Sequence, residues 1–145
     1  TPIQIPEWEE MDFGRFEGKN YKELCGDSDY QKWIDSNGTL PFPEGESREQ
    51  FLARCMQGFD RMIAEVMRLS AGFFDEGEKK DAELELTATA VVHGGTIMAV
   101  LSTLTGSAYF DFQVENGQGY ETVIKIRMNE QKTVETVVPE SCRKL

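Results

Sequence analysis

The residues of this chain with the clearest capacity for chemistry are three in a row, His93, Gly94 and Gly95. They follow an uncharged run rich in β-branched residues, 86–92, and precede a segment with apolar residues at helical spacing. A buried strand, a glycine turn and a helix in this order are typical of ligand sites in α/β proteins, because ligands bind beyond the carboxyl ends of strands. The helix N-terminus favours an anion, the glycines allow close backbone approach, and the imidazole adds a donor. We therefore expect His93 to bind an anionic, phosphorylated ligand; a histidine that bonds to a carbonyl group at the strand end is the structural alternative.

A second group of chemically capable residues lies in an acidic loop, residues 9–18, with the sequence EEMDFGRFEG. Glycines at positions 14 and 18 favour a shaped loop over a helix. A carboxyl group held beside a phosphate has its pKa raised by the like charge and by burial, so it can serve as a general acid. A solvated acidic loop is the alternative interpretation, because carboxylates are mostly exposed.

The clearest element that could position these residues is a long helix that begins after the turn Pro-Glu-Gly-Glu at 43–46. Ser47 is a favourable N-cap, and Gln50 stands at the capping-box position. Apolar residues follow at helical spacing and predict one buried face, while Gly72 is a plausible end. The members of that face are Phe51, Leu52, Cys55, Met56, Phe59, Met62, Ile63, Val66 and Leu69. Arg54 on this helix could neutralise a ligand anion, or it could lie on the solvated flank.

The remaining elements are short. Residues 21–24 and 30–34 predict helical turns, and 96–104 predict a helix that carries the His-Gly-Gly turn at its start. Two runs that alternate with a period of two, 122–128 and 133–138, predict strands joined by a hairpin turn at 129–131.

Composition limits the class of protein. A length of 145 residues and a mass of 16.4 kDa predict one domain, residues 1–145. The net charge of −11 argues against a nucleic-acid binder, and no segment predicts a membrane span or a secretory signal. The charged segment 75–85 is expected to be a solvated connector. Three widely spaced cysteines, Cys25, Cys55 and Cys142, favour a reducing cytoplasm, and the single histidine argues against a zinc site.

Three motifs stand in order along the chain: EMDFGRFEG, then PEGES leading into the helix with Arg54, then VVHGG. Together they resemble the histidine phosphatase superfamily, which includes the phosphoglycerate mutases. The resemblance implies a three-layer α/β fold, a mostly parallel sheet flanked by helices, with phosphoryl transfer through a phosphohistidine and no cofactor or metal. It implies that His93 stabilises the transferring phosphoryl group, that Glu10 donates a proton to the leaving group, and that the Gly94 backbone lies near the phosphate oxygens. The expected ligand is a small phosphorylated metabolite.

The chain departs from the family in one large respect. The family's nucleophile is a histidine in an Arg-His-Gly motif, and here His93 is the only histidine. We therefore expect an N-terminally incomplete domain that lacks its first strand and helix, with the nucleophile outside this chain and negligible turnover by the 145 residues alone. Met98, where many relatives carry arginine, favours a simple phosphatase over a mutase. The alternative is a non-catalytic module that binds a phosphorylated ligand or a protein; a homodimer stays open.

Overall fold

A computed structural model describes residues 2–70, 85–129 and 133–145. The chain divides into two compact units, Thr1–His93 and Gly94–Leu145, and each is described by itself. The organisation of residues 1–145 as one domain stays a prediction. Among the described residues, no helix is long and apolar enough to cross a lipid bilayer.

The first unit is built from helices and shaped loops. Two single 3₁₀ turns, Pro6–Trp8 and Gly14–Phe16, come first. Three helices follow: α1 (Tyr21–Leu24), α2 (Ser28–Asp35) and α3 (Arg48–Ser70). The two helical turns predicted from the sequence are confirmed, and α2 begins two residues earlier than expected.

The short helices α1 and α2 are both fixed by side-chain caps. The Asn20 side chain accepts hydrogen bonds from the first turn of α1, and the Glu23 carboxylate accepts one from the Asn20 backbone N–H. The Asp27 carboxylate accepts from the N–H groups of Asp29 and Tyr30 at 2.8 and 3.1 Å. A cap contributes roughly 1 kcal/mol, which matters for helices too short to be stable alone.

The long helix α3 begins where the capping box predicted it. The Gln50 N–H donates to Ser47 Oγ at 3.1 Å, and the Ser47 N–H donates to Gln50 Oε1 at 2.9 Å. The predicted inner face is confirmed in part: Phe51, Cys55, Phe59 and Ile63 are buried, whereas Leu69 near the end of the helix is 59% exposed. Gly72, the expected end of the helix, and the connector 75–84 lie outside the described residues.

An aromatic cluster packs α1 and α2 against the loop that leads to α3. Phe16, Leu24 and Phe42 are buried, and Tyr30 and Trp33 pack against them. Trp33 stacks on Phe42 with ring centroids 4.7 Å apart, and Phe16 meets Phe42 edge to face at 5.9 Å. Such pairs contribute about 0.5–1.5 kcal/mol each beyond their burial, so the cluster fixes the path of the Pro-Glu-Gly-Glu loop.

The second unit contains α4 (Gly94–Thr105), a 3₁₀ turn at Tyr109–Phe112, and two strands, β1 (Tyr120–Met128) and β2 (Val134–Lys144). The strands pair antiparallel, with two irregularities in the register. The predicted helix and both predicted strands are confirmed, each longer than the sequence indicated. The turn between the strands lies partly outside the described residues.

The prediction of a strand over residues 86–92 is wrong. That segment is irregular and largely exposed, with Val91 97% accessible. A buried strand needs a neighbouring strand to satisfy its backbone N–H and C=O groups, and β1 and β2 pair only with each other in the described sheet. Within the described residues the sheet is thus two-stranded and antiparallel, where the sequence had predicted a mostly parallel one.

Candidate functional site

The two predicted catalytic side chains lie next to each other in the first unit. His93 Nδ1 is 3.4 Å from Glu10 Oε2, and the two side chains are 60% and 39% exposed. The other carboxylate oxygen of Glu10 accepts a hydrogen bond from the Met11 N–H at 2.9 Å, which orients the carboxylate. An imidazole and a carboxyl group are therefore exposed to solvent side by side. His93 lies at the end of the irregular segment before α4, and Glu10 lies between the two 3₁₀ turns.

The third predicted site residue, Gly94, begins α4 in the second unit. The N–H groups of the first helical turn have no acceptor within a helix, so Gly94 presents a donor of the kind that anions bind. A Cβ added there would meet Val114 Cγ2 at 3.7 Å, an ordinary contact. The structure thus brings His93 and Glu10 together, and it places Gly94 directly after His93 in the chain.

Arg54 has a role that neither alternative from the sequence described. Its Nε and Nη2 donate to the two carboxylate oxygens of Glu46 at 3.0 and 2.8 Å. Its Nη1 donates to the backbone carbonyls of Glu7 and Glu9 at 2.9 and 3.0 Å, and Nη2 also donates to that of Glu10 at 3.3 Å. A guanidinium has five N–H donors, and here five acceptors within the protein occupy them. Arg54 therefore holds the Glu10 loop instead of a ligand.

The surroundings of Arg54 keep it cationic. The hydrogen bond to Glu46 raises the pKa of Arg54, partial burial acts in the opposite direction, and the Glu46 charge adds to the increase. The pair is protected from solvent, with side chains 27% and 13% exposed, and the Phe51 ring lies 5.2 Å from the guanidinium carbon. Glu46 balances the positive charge locally, so little of it reaches a ligand at His93.

Two loops cross beside the site, and glycine makes the crossing feasible. The Glu46 N–H donates to the Asp12 carbonyl at 2.9 Å, which joins the loop of EMDFGRFEG to the loop of PEGES. Gly14 has a φ of +53°, and a Cβ there would lie 2.3 Å from the Pro43 carbonyl oxygen. A Cβ on Gly45 would lie 2.6 Å from the Asp12 carbonyl oxygen. These two motifs therefore carry glycine for close packing of backbone on backbone.

The 3₁₀ turn before Glu10 is anchored on α3. The Trp8 indole N–H donates to the Cys55 carbonyl at 3.0 Å, and the ring covers Gly58 so closely that a Cβ would lie 2.6 Å from it. One turn further along the helix, Arg61 binds the Glu7 carboxylate at 3.1 Å. The Trp8 contacts fix the segment that leads to Glu10 to a rigid element, and the Arg61 pair lies at its more exposed edge.

An open depression of about 420 Å³ lies beside Glu10. Its lining is acidic, with Glu9, Asp12 and Glu46 around the Arg54 guanidinium. Across residues 2–70, 85–129 and 133–145, no three His, Cys, Asp or Glu side chains are grouped to hold a metal ion.

The part of the site that sequence reasoning missed is the pairing of Glu46 with Arg54. A partial signal for it existed, because a glutamate just before a helix N-cap and an arginine seven residues after that cap stand about two helical turns apart on the same side of the helix. Helix capping fully explains the residues of the PEGES turn, so its sequence does not reveal the second function of Glu46.

Comparison with known proteins identifies the chain's relatives. The family described as histidine phosphatase superfamily (branch 1) matches residues 1–138. A crystal structure from Escherichia coli K-12, assigned as an alpha-ribazole-5'-P phosphatase, is similar with a TM-score of 0.54 and 21% sequence identity. The similarity covers 94% of this chain and 61% of the E. coli chain, and at this identity it establishes the fold. No curated protein matches the chain. With the family match covering almost all 145 residues, the chain belongs to the histidine phosphatase superfamily.

Proposed function

We propose that this chain is the main part of a phosphomonoester phosphatase of the phosphohistidine type, with its nucleophilic histidine outside these 145 residues. The observation that carries the proposal is the 3.4 Å contact between His93 Nδ1 and Glu10 Oε2. It supports the proposal because the imidazole proposed to bind phosphate and the carboxyl group proposed to donate a proton lie together, and both side chains are accessible to solvent.

In the proposed reaction the two residues have different roles. The external histidine attacks phosphorus, an N–P bond forms, and the ester P–O bond breaks. Glu10 gives its proton to the departing oxygen, while His93 and the N–H of Gly94 stabilise the charge on the phosphoryl oxygens. Water then attacks phosphorus, the N–P bond breaks, and the Glu10 carboxylate takes the proton that water loses. No metal or cofactor is needed in either step.

A second histidine has to come from elsewhere because this chain has one. A single imidazole cannot form the covalent intermediate and also bind the phosphoryl group from a different side. A segment that carries this histidine is also proposed to complete the mostly parallel, three-layer fold that the resemblance implies. The three cysteines are widely spaced and form no Cys-x-x-Cys pair, which supports a cytoplasmic location.

Anion binding at His93 can be tested on this chain directly. With one histidine, the imidazole proton signals in an NMR spectrum belong to His93 alone. Titration with inorganic phosphate, and separately with orthovanadate, should shift those signals along a saturable curve. Chloride at matched ionic strength is the control, and its effect should be small and unsaturated. If phosphate and vanadate behave as chloride does, His93 is not a phosphate ligand and the proposal is overturned.

Catalysis requires a longer protein that contains an Arg-His-Gly segment. We expect that protein to hydrolyse an aryl phosphate, to form a trappable phosphohistidine, and to lose turnover in the His93→Ala variant. The 145-residue chain should show negligible turnover. Robust turnover by the short chain, abolished by His93→Ala, would contradict an external nucleophile. Phosphate binding by the longer protein without phosphohistidine would instead indicate a non-catalytic binding module.

A further inference from the structure

We propose that Arg54 is a positioning residue: with Glu46, it holds the backbone around Glu10 so that the Glu10 carboxylate reaches His93. The proposal rests on the proposed function only in naming Glu10 as the acid. The geometry that Arg54 imposes is a separate property and can be measured without turnover.

Arg54 uses all five of its guanidinium N–H donors. The guanidinium is a planar, rigid fork, and its five N–H groups bind two carboxylate oxygens and three carbonyl oxygens. The carbonyls belong to Glu7, Glu9 and Glu10, so one rigid group fixes the relative positions of three peptide units on the approach to the proposed acid.

Glu46 holds the residues on the other side of Glu10. Glu46 orients the guanidinium through both carboxylate oxygens, and its own N–H binds the Asp12 carbonyl at 2.9 Å. The Asp12 N–H returns a long bond to Glu46 Oε2 at 3.4 Å. The residues before Glu10 are thus held by Arg54 and the residues after it by Glu46, while these two side chains hold each other.

Arg54 acts on Glu10 through the main chain. It binds the backbone oxygen of Glu10, and the carboxylate oxygen Oε2 is directed to His93. Arg54 therefore aims the acid without contacting the atoms that react. Lysine could not replace it, because an ammonium has three donors that radiate from one point and cannot span these five acceptors.

The same helix offers a matched control in Arg61. This arginine also binds the segment before Glu10, but among the described residues its hydrogen bonds go to the Glu7 carboxylate, at 3.1 and 3.3 Å, and its side chain is 47% exposed. Arg61→Lys makes the same chemical change, a guanidinium replaced by an ammonium, seven residues after Arg54 on the same helix. It leaves the carbonyls of Glu9 and Glu10 bound.

The decisive readout on this chain is the nuclear Overhauser effect between the His93 ring protons and the Glu10 γ-methylene protons. We expect the cross-peak in the unmodified chain and in Arg61→Lys, and its loss in Arg54→Lys. Glu46→Gln, which keeps the shape but loses the charge, should also weaken it. Circular dichroism establishes that each variant is folded; if Arg54→Lys unfolds, Glu46→Gln carries the test. A cross-peak that persists in both folded variants, or that is lost equally in Arg61→Lys, overturns the proposal.

In the longer, active protein the same variants should separate kcat from KM. Arg54→Lys should lower kcat by about 10- to 100-fold, as expected for a misplaced acid, with KM changed far less, and Arg61→Lys should leave both near the unmodified values. An equal loss in both variants would show a general structural role. Failure of the phosphate titration with the cross-peak pattern intact would refute the proposed function alone, and the reverse result would refute only the positioning role.

Discussion

Gly58 is a position where close packing leaves no room for a side chain larger than that of glycine. It lies within α3, where glycine is unfavourable, and it is buried under the Trp8 ring. In an ordinary helix interior, Gly→Ala stabilises by about 1 kcal/mol, because alanine has the higher helix propensity. At Gly58 we predict the opposite sign, since the added methyl group enters space that Trp8 already occupies.

The magnitude follows from three terms. An added Cβ would lie 2.6 Å from both Trp8 Cδ1 and Nε1 and 3.1 Å from Glu7 Cβ, so the ring has to move. Overpacking of this kind costs about 1–3 kcal/mol. Displacement of the ring also breaks the indole bond to the Cys55 carbonyl, worth about 0.5–1.5 kcal/mol. After subtracting the helix-propensity gain, we expect Gly58→Ala to lower the free energy of unfolding by about 1–3 kcal/mol.

A double-mutant cycle followed by urea unfolding and circular dichroism tests this account. In a Trp8→Ala background the ring contacts are removed and the 3.1 Å contact with Glu7 Cβ remains, so Gly58→Ala should there stabilise the chain, by at most about 1 kcal/mol. The sign of the effect therefore depends on Trp8. If Gly58→Ala stabilises the chain that retains Trp8, the close packing of the turn on α3 is refuted.

Two further predictions concern the loops and the thiols. Gly14→Ala should destabilise by at least about 2 kcal/mol, because the Cβ would lie 2.3 Å from the Pro43 carbonyl, whereas Gly18→Ala should cost only about 1 kcal/mol for its positive φ; thermal melting of the two variants compares them. Cys25 is exposed and should react promptly with a thiol reagent, while Cys55 should react only in denaturant, as mass spectrometry of labelled peptides would show.

Local signals in the sequence were sufficient for much of the fold. The start of α3 was predictable because Ser47 and Gln50 form a complete capping box within four residues. The pairing of β1 with β2 was predictable because two alternating runs stand a few residues apart. In both cases the partner of each group lies close by in the chain.

The segment 86–92 shows where such signals stop. Its composition is that of a buried strand, yet a strand depends on a partner that its own sequence does not encode. The candidate site also contains some residues that the sequence could indicate and some contacts that it could not. His93 and Glu10 could be proposed from motifs, but the five acceptors around Arg54 include three backbone carbonyls, which any residue type supplies. No pattern of side chains identifies which carbonyls an arginine will bind, so these contacts could not be predicted from the sequence.

The charge around Glu10 leads to a last prediction, that Glu10→Gln tightens phosphate binding by this chain while it abolishes catalysis in the longer protein. The first unit presents Glu9, Glu10 and Asp12 near the site, and the donors of Arg54 are already bound. Two like charges 4 Å apart repel by about 4 kcal/mol at an effective dielectric constant of 20, and less where solvent and salt screen them. With Glu10 39% exposed, we expect a net gain of about tenfold in phosphate affinity, measured through the His93 NMR signals. Weaker binding by Glu10→Gln would mean that the carboxylate is needed to orient His93 toward the anion, and that the two residues act as one binding unit.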